Sequence, residues 1–128
     1  MELKINIAPG ELIDKITILE IKLARIDDPA KLRNVTHEHA ALSEILAAKI
    51  VETPQLIELR ATLKTLNETL WQAEEDLRLF EHRHEFGPAF IAAARSVYRT
   101  NDRRAAVKRQ INELLGSQLI EEKSYPRY

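Results

Sequence analysis

The chain has no cysteine, and that one absence removes disulfides, thiolate metal sites and cysteine nucleophiles together. Glycine is almost as scarce. Three glycines in 128 residues leave too few special turns for a many-stranded β fold, whereas long helices need few. No run approaches the roughly 18 uninterrupted apolar residues of a membrane span, and the opening MELKINIAPGEL lacks the basic and apolar stretches of a signal peptide. The expectation is a cytoplasmic protein without membrane insertion. Charge of one sign is missing too: 19 Lys and Arg against 20 Asp and Glu leave a net charge of -1, which disfavours nucleic acid or an anionic membrane as partner.

What is there points to helices. Hydrophobic residues make up 45% of the chain and charged residues 30%, a globular or coiled-coil composition of a size that suits one domain over residues 1–128. Leu3, Ile5 and Ile7 alternate with polar neighbours, which predicts a short N-terminal β-strand, with the tail around Leu119 to Lys123 as its natural partner. Pro9 and Gly10 are read as closing that strand. Glu11 to Ile26 then carries Leu12, Ile16, Leu19, Leu23 and Ile26 at alternating steps of four and three, the seam of an amphipathic helix. Asp28-Pro29 and Thr53-Pro54 each pair an N-cap with a first-turn proline, so helices are predicted from about 29 to Val51 and from about 54 to Phe86.

The third helix has the strictest rhythm, with Leu56, Leu59, Leu63, Leu66, Leu70, Ala73, Leu77 and Phe80 on one seam. A fourth helix is predicted from Pro88 to about Leu115, with Gly116 as its C-cap. The fold class is therefore all-α: an antiparallel helical bundle or long helical hairpin with heptad seams, plus the short strand. Short links argue that consecutive helices are antiparallel neighbours. In the fourth helix the apolar face of Phe90, Ala94 and Val97 meets Asn101, and a displaced stripe of Val107, Ile111 and Leu114 follows. A bend or restart at Thr100-Asn101-Asp102 would account for the displacement, with Thr100 or Asn101 capping the second half.

Few residues combine into recognisable chemistry. Glu81 and His84 have the spacing of two metal ligands on one helical face, but no second such pair exists, and His37 and His39 point to different sides of a helix. No metal and no cofactor is expected. Arg95, Arg99 and Arg103 form a basic ridge that acidic positions such as Glu68, Glu74, Glu75 and Asp76 can neutralise. A small helical chain with Arg and Lys near its seams is similar in outline to the helical chorismate mutases. Their pattern is absent, because Arg25 projects about 100° or more from the seam, Lys15 borders it and Glu20 can pair laterally. Ile18 and Ile21 lie nearly opposite the first seam, and Trp71 stands off the third. Such positions need a second burial surface, either another helix or the interface of a homodimer.

Two stretches, PGELIDKITILEIKLARIDDPAKLRNV and SVYRTNDRRAAVKRQINELLGSQLIEEKSY, resemble a bacterial family of small helical proteins catalogued only as a domain of unknown function. The resemblance implies a bacterial origin and a link to glycan or cell-envelope biosynthesis, and it supplies no site residues. It directs attention to the irregular part of the fourth helix and to the tail, where Tyr98, Asn101, Asp102 and Arg104 are expected to join Glu122, Lys123 and Tyr125 in a site that grips a partner or ligand. The expected function is a non-enzymatic protein-interaction or assembly module, a homodimer with an unknown protein partner. The alternative is a small helical enzyme or small-ligand-binding protein with its pocket between the fourth helix and the tail.

Overall fold

The computed structural model describes all 128 residues as four helices, α1 (Pro9–Arg25), α2 (Pro29–Lys49), α3 (Pro54–His82) and α4 (Pro88–Leu114), without β-structure. Each helix opens on a proline, which lacks only an N–H that the first turn would leave unbonded anyway. The Asp28 side chain accepts from Lys31 N at 2.9 Å and that of Thr53 from Leu56 N at 3.2 Å. α1 begins two residues earlier than predicted, since Pro9 starts the helix rather than breaking the chain.

α1 is the common partner. It packs against each of the other three helices, α3 packs along α4, and α2 packs along α1 alone. The short α2–α3 link thus does not make those helices neighbours, contrary to the rule for consecutive helices. α1 is accordingly buried on most sides, through Leu12, Ile13, Asp14, Ile16, Thr17, Leu19 and Ile21 among others. Leu12, Ile13 and Ile16 meet Leu46, Leu56, Leu63, Val107 and Ile111 in the main apolar cluster.

The predicted N-terminal strand is not present. Leu3 and Ile5 are 80% and 75% exposed, and no backbone hydrogen bond joins residues 1–7 to the tail. Neither segment is held in register with the other. Pro9 draws the chain into α1, while side chains of the tail are tethered to α4, Glu121 by Lys108 and Glu122 by Arg109. Side-chain tethers hold the tail near Ile7 without creating a ladder.

α3 stops at His82, four residues before the predicted end. His84 takes the left-handed conformation (φ 54°), with His84 N bonded to Glu81 O and Glu85 N to Phe80 O. That is the closure usually made with glycine, and it removes the helical spacing of Glu81 and His84. At the end of α4, Gly116 (φ 66°) closes the helix in the same way, as predicted. α4 is one continuous helix through residues 100–102 and does not restart there. Its apolar stripe shifts without a break because α4 serves two neighbours: α3 packs along it, and α1 meets it through Arg104 at Asp14 and Asn112 at Gly10.

Candidate functional site

Two places concentrate polar chemistry, and both depend on α4. In the first, α1 turns Gly10, Asp14 and Thr17 toward α4 and α3, one helical turn apart. The amide of Gly10, left without a partner by the start of α1, donates to Asn112 Oδ1 at 2.7 Å. The cap of α1 is thus supplied by a helix 102 residues away, as Ala8 has no side chain that can do it.

One turn on, Asp14 is 1% exposed and accepts from Arg104 through both carboxylate oxygens, with Nε 2.9 Å from Oδ1 and Nη2 on Oδ2. Asn67 of α3 donates from Nδ2 to Asp14 Oδ1 at 2.9 Å and to Thr17 Oγ1 at 3.0 Å, and the Thr17 hydroxyl donates to the Asp14 carbonyl at 2.8 Å. Burial pushes the Asp14 carboxyl up, but the bonds from Arg104 and Asn67 and the charges of Arg104 and Lys108 outweigh it and hold it below the ordinary range. The pair is raised on the Arg104 side, first by its bond to Asp14.

A third rung follows. Lys108 Nζ lies 2.8 Å from both Glu11 and Glu121, and these bonds hold its ammonium above the ordinary lysine value although burial opposes them. Asn112, Lys108 and Arg104 therefore clasp α1 at successive turns of α4, with Thr100 buried one turn beyond. Farther along α1, Glu20 meets Arg60 at 2.9 Å and Lys64 at 3.3 Å, both on α3, the lateral pairing the sequence suggested.

Beyond the Asp14–Arg104 pair the three helices leave a cleft of about 600 Å³ lined by Ile18, Asn67, Leu70, Trp71, Glu74, Glu75, Arg78 and Arg104. Ile18 and Trp71, two of the three expected interface residues, border this cleft. Ile21, the third, is only 3% exposed and so offers no surface to a partner. The helices around α1 cover that face, which is why an apolar residue off the main seam needs no second subunit.

The second place is the underside of the tail. Val97, Tyr98, Asn101 and Asp102 of α4 meet Lys123, Tyr125, Pro126 and Tyr128 around a pocket of about 350 Å³. Tyr98 and Tyr128 pack edge to face with centroids 5.2 Å apart, the Tyr128 hydroxyl donates to Asp102, and Arg99 lies 5.8 Å over the Tyr128 ring. Five of the seven residues singled out in the sequence, Tyr98, Asn101, Asp102, Lys123 and Tyr125, thus line one pocket. Arg104 does not, because Asp14 claims it, and Glu122 pairs with Arg109 at 3.2 Å instead. Asn101 Oδ1 accepts a long 3.4 Å contact from Arg104 Nη1 rather than capping a new helix.

Sequence reasoning missed the clasp. Its signal was present as polar residues at helical spacing, Gly10, Asp14 and Thr17 on α1 and Thr100, Arg104, Lys108 and Asn112 on α4. Of the basic ridge, Arg95, Arg99 and Arg103 form no ion pair; Glu74 pairs within α3 with Arg78, and Glu75 with Arg25 of α1. No three metal-ligating side chains converge, and no helix is long and apolar enough to cross a membrane.

Fold and site together define a four-helix protein whose first helix is clasped by a polar ladder, with a cleft on one side and a tyrosine pocket under its tail. The chain belongs to a family of unknown function (DUF6165), whose model matches residues 3–127. No curated protein and no solved structure matches it.

Proposed function

We propose that the protein is a non-enzymatic interaction module of the bacterial cytoplasm that grips a segment of another protein in the pocket between α4 and the tail, serving glycan or cell-envelope biosynthesis. The observation that carries this reading is the gathering of all three tyrosines of the chain around that one pocket. Tyrosine offers a large rigid face with a polar tip and loses little conformational entropy on contact, which makes it a common anchor at protein interfaces. Asp102, Lys123 and Asn101 add an acceptor, a cation and an amide at the rim.

The test is affinity capture on the immobilised protein beside its Tyr98→Ala and Tyr125→Ala variants. Tyr125 is 73% and Tyr98 43% exposed, so the expected outcome is thermal stability little changed, least for Tyr125→Ala, with binding of the captured partner weakened about tenfold or more. The reading fails if both variants retain the partner at full strength. Arg104→Ala is not a fair probe of this pocket, since it breaks the clasp.

Self-association is a second reading, favoured by exposed Ile45, Val51 and Ile57 around the α2–α3 link. Light scattering at high micromolar concentration decides it, because a monomer there removes the homodimer from the proposal.

A further inference from the structure

The cleft at the foot of the clasp holds an acceptor that the protein itself leaves unused. Both neighbours of Asn67 Nδ2 are acceptors, a carboxylate oxygen of Asp14 and the Thr17 hydroxyl, whose proton is already given to the Asp14 carbonyl. The amide nitrogen must therefore face them, and Oδ1 must point away. Asn67 is 5% exposed, yet it lines the cleft, and its Oδ1 accepts no hydrogen bond within the protein. No fully buried side-chain polar atom lacks a partner, so this oxygen opens on the cleft.

A donor stands beside it. Arg104 has five N–H groups; two are used on Asp14 and one makes the long contact to Asn101. The remaining ones belong to a guanidinium that also lines the cleft. Arg104 Nε and Asn67 Nδ2 meet the same oxygen, Asp14 Oδ1, each at 2.9 Å, so the two side chains are immediate neighbours. An acceptor and a donor are thereby set next to one another at the deep end.

The rest of the cleft restricts what can reach them. Ile18, Leu70 and Trp71 supply an apolar wall, and the Trp71 ring is held by the bond of its Nε1 to Glu75 at 2.9 Å. Charges nearby are already compensated, Arg104 by Asp14, Glu74 by Arg78 and Glu75 by Arg25. An ionic ligand would lose hydration without gaining a free counter-charge. The volume is in the range of small-ligand sites, about 300–1,000 Å³.

We infer that this cleft binds an uncharged flat ring with a lactam edge, a ring N–H beside a C=O, of the kind found in pyrimidine nucleobases. Asn67 Oδ1 accepts from the ring N–H, Arg104 donates to the ring carbonyl, and the ring face lies against Trp71. This site is separate from the tyrosine pocket and stands or falls independently of it.

Trp71 is the only tryptophan, so tryptophan fluorescence comes from a residue that lines this cleft. The native protein is titrated with uracil, with N,N′-dimethyluracil, which keeps the carbonyls and loses both N–H groups, and with orotate, which adds a carboxylate. Uracil is expected to change the emission saturably with a half-point at or below about 1 mM. Each analogue should bind at least about tenfold more weakly, as expected when a buried acceptor goes unpaired or a charge is desolvated. The absence of a saturable uracil response, or equal binding of dimethyluracil, overturns the proposal. Since Asn67→Ala would also remove two bonds of the clasp, the residue-level check uses unmodified protein. In nitrogen–proton spectra uracil must shift both the Asn67 side-chain amide and the Trp71 indole signal, and shifts confined to other residues overturn the assignment.

Discussion

A Cβ at position 10 would lie 2.6 Å from the carbonyl oxygen of Lys108 and 2.8 Å from Asn112 Oδ1. Helix propensity alone would favour Gly10→Ala by about 1 kcal/mol, but the nearest contact, the Lys108 carbonyl, is backbone and cannot swing aside. Relief requires α1 to move off α4, which would stretch the cap that Asn112 gives to the Gly10 amide. Overpacking of this kind costs roughly 1–3 kcal/mol, so the net effect should be a loss. Urea unfolding of Gly10→Ala is expected to show a lower midpoint at unchanged slope. A midpoint at or above that of the unmodified protein would mean the close approach of α1 and α4 is not tight.

Among the elements, α2 and α1 are opposites. α1 buries eight of its 17 residues, whereas α2 buries only Val35 and Leu46 of its 21 and rests on α1 alone. Local opening free energy follows buried contact, so amide exchange should be fastest in α2 and slowest in α1. The start of α2 depends on its cap, and Asp28→Ala removes the bond to Lys31 N at a cost of about 1 kcal/mol. That variant should exchange faster through the first turns of α2 while α1 stays protected. Protection of α2 equal to that of α1 would show that something more than this one contact holds it.

For the whole molecule, the carboxylates tie stability to pH. Asp14 and Glu20 are pushed up by burial, but stronger pulls from Arg104 and Asn67, and from Arg60 and Lys64, leave both below their ordinary values; Glu121 is lowered chiefly by its bond from Lys108. A folded value below the unfolded one adds stability that is fully present above the unfolded value and is lost as pH falls through the folded one. Stability should therefore be flat near neutrality and decline below about pH 4, given the ordinary carboxyl values near 3.9 and 4.3. Asp14→Asn should cost roughly 3 kcal/mol at pH 7, the low end for breaking a buried pair because Arg104 keeps some contact with water. Its acid decline should also be shallower. A pH series of urea midpoints checks this, and an equally steep decline in the variant would mean that Asp14 is not the group being protonated.

The sequence by itself determined the helices, because their signals are local. Proline after Asp28 and Thr53, the three-four rhythm of the α3 leucines and Gly116 all act within a turn or two of the residues they govern. Local signals failed where a residue took an uncommon part. His84 closes α3 in place of glycine, and Pro9 opens α1 with its cap brought by Asn112. The strand at residues 3–7 had the right alternation and no partner, since period alone does not supply one. Five of the seven residues expected to gather at the tail line one pocket, because residues three or four apart on α4 share a face and the tail folds back along it. Arg104 was read onto the wrong side for a definite reason. Its direction depends on Asp14, 90 residues away, and whether a guanidinium turns to the tail or to α1 is decided by which carboxylate is buried within reach. The same holds for Ile21 and for the Asn67 amide: burial and hydrogen-bond partners belong to helices that meet only on folding, so the tertiary structure alone could assign them.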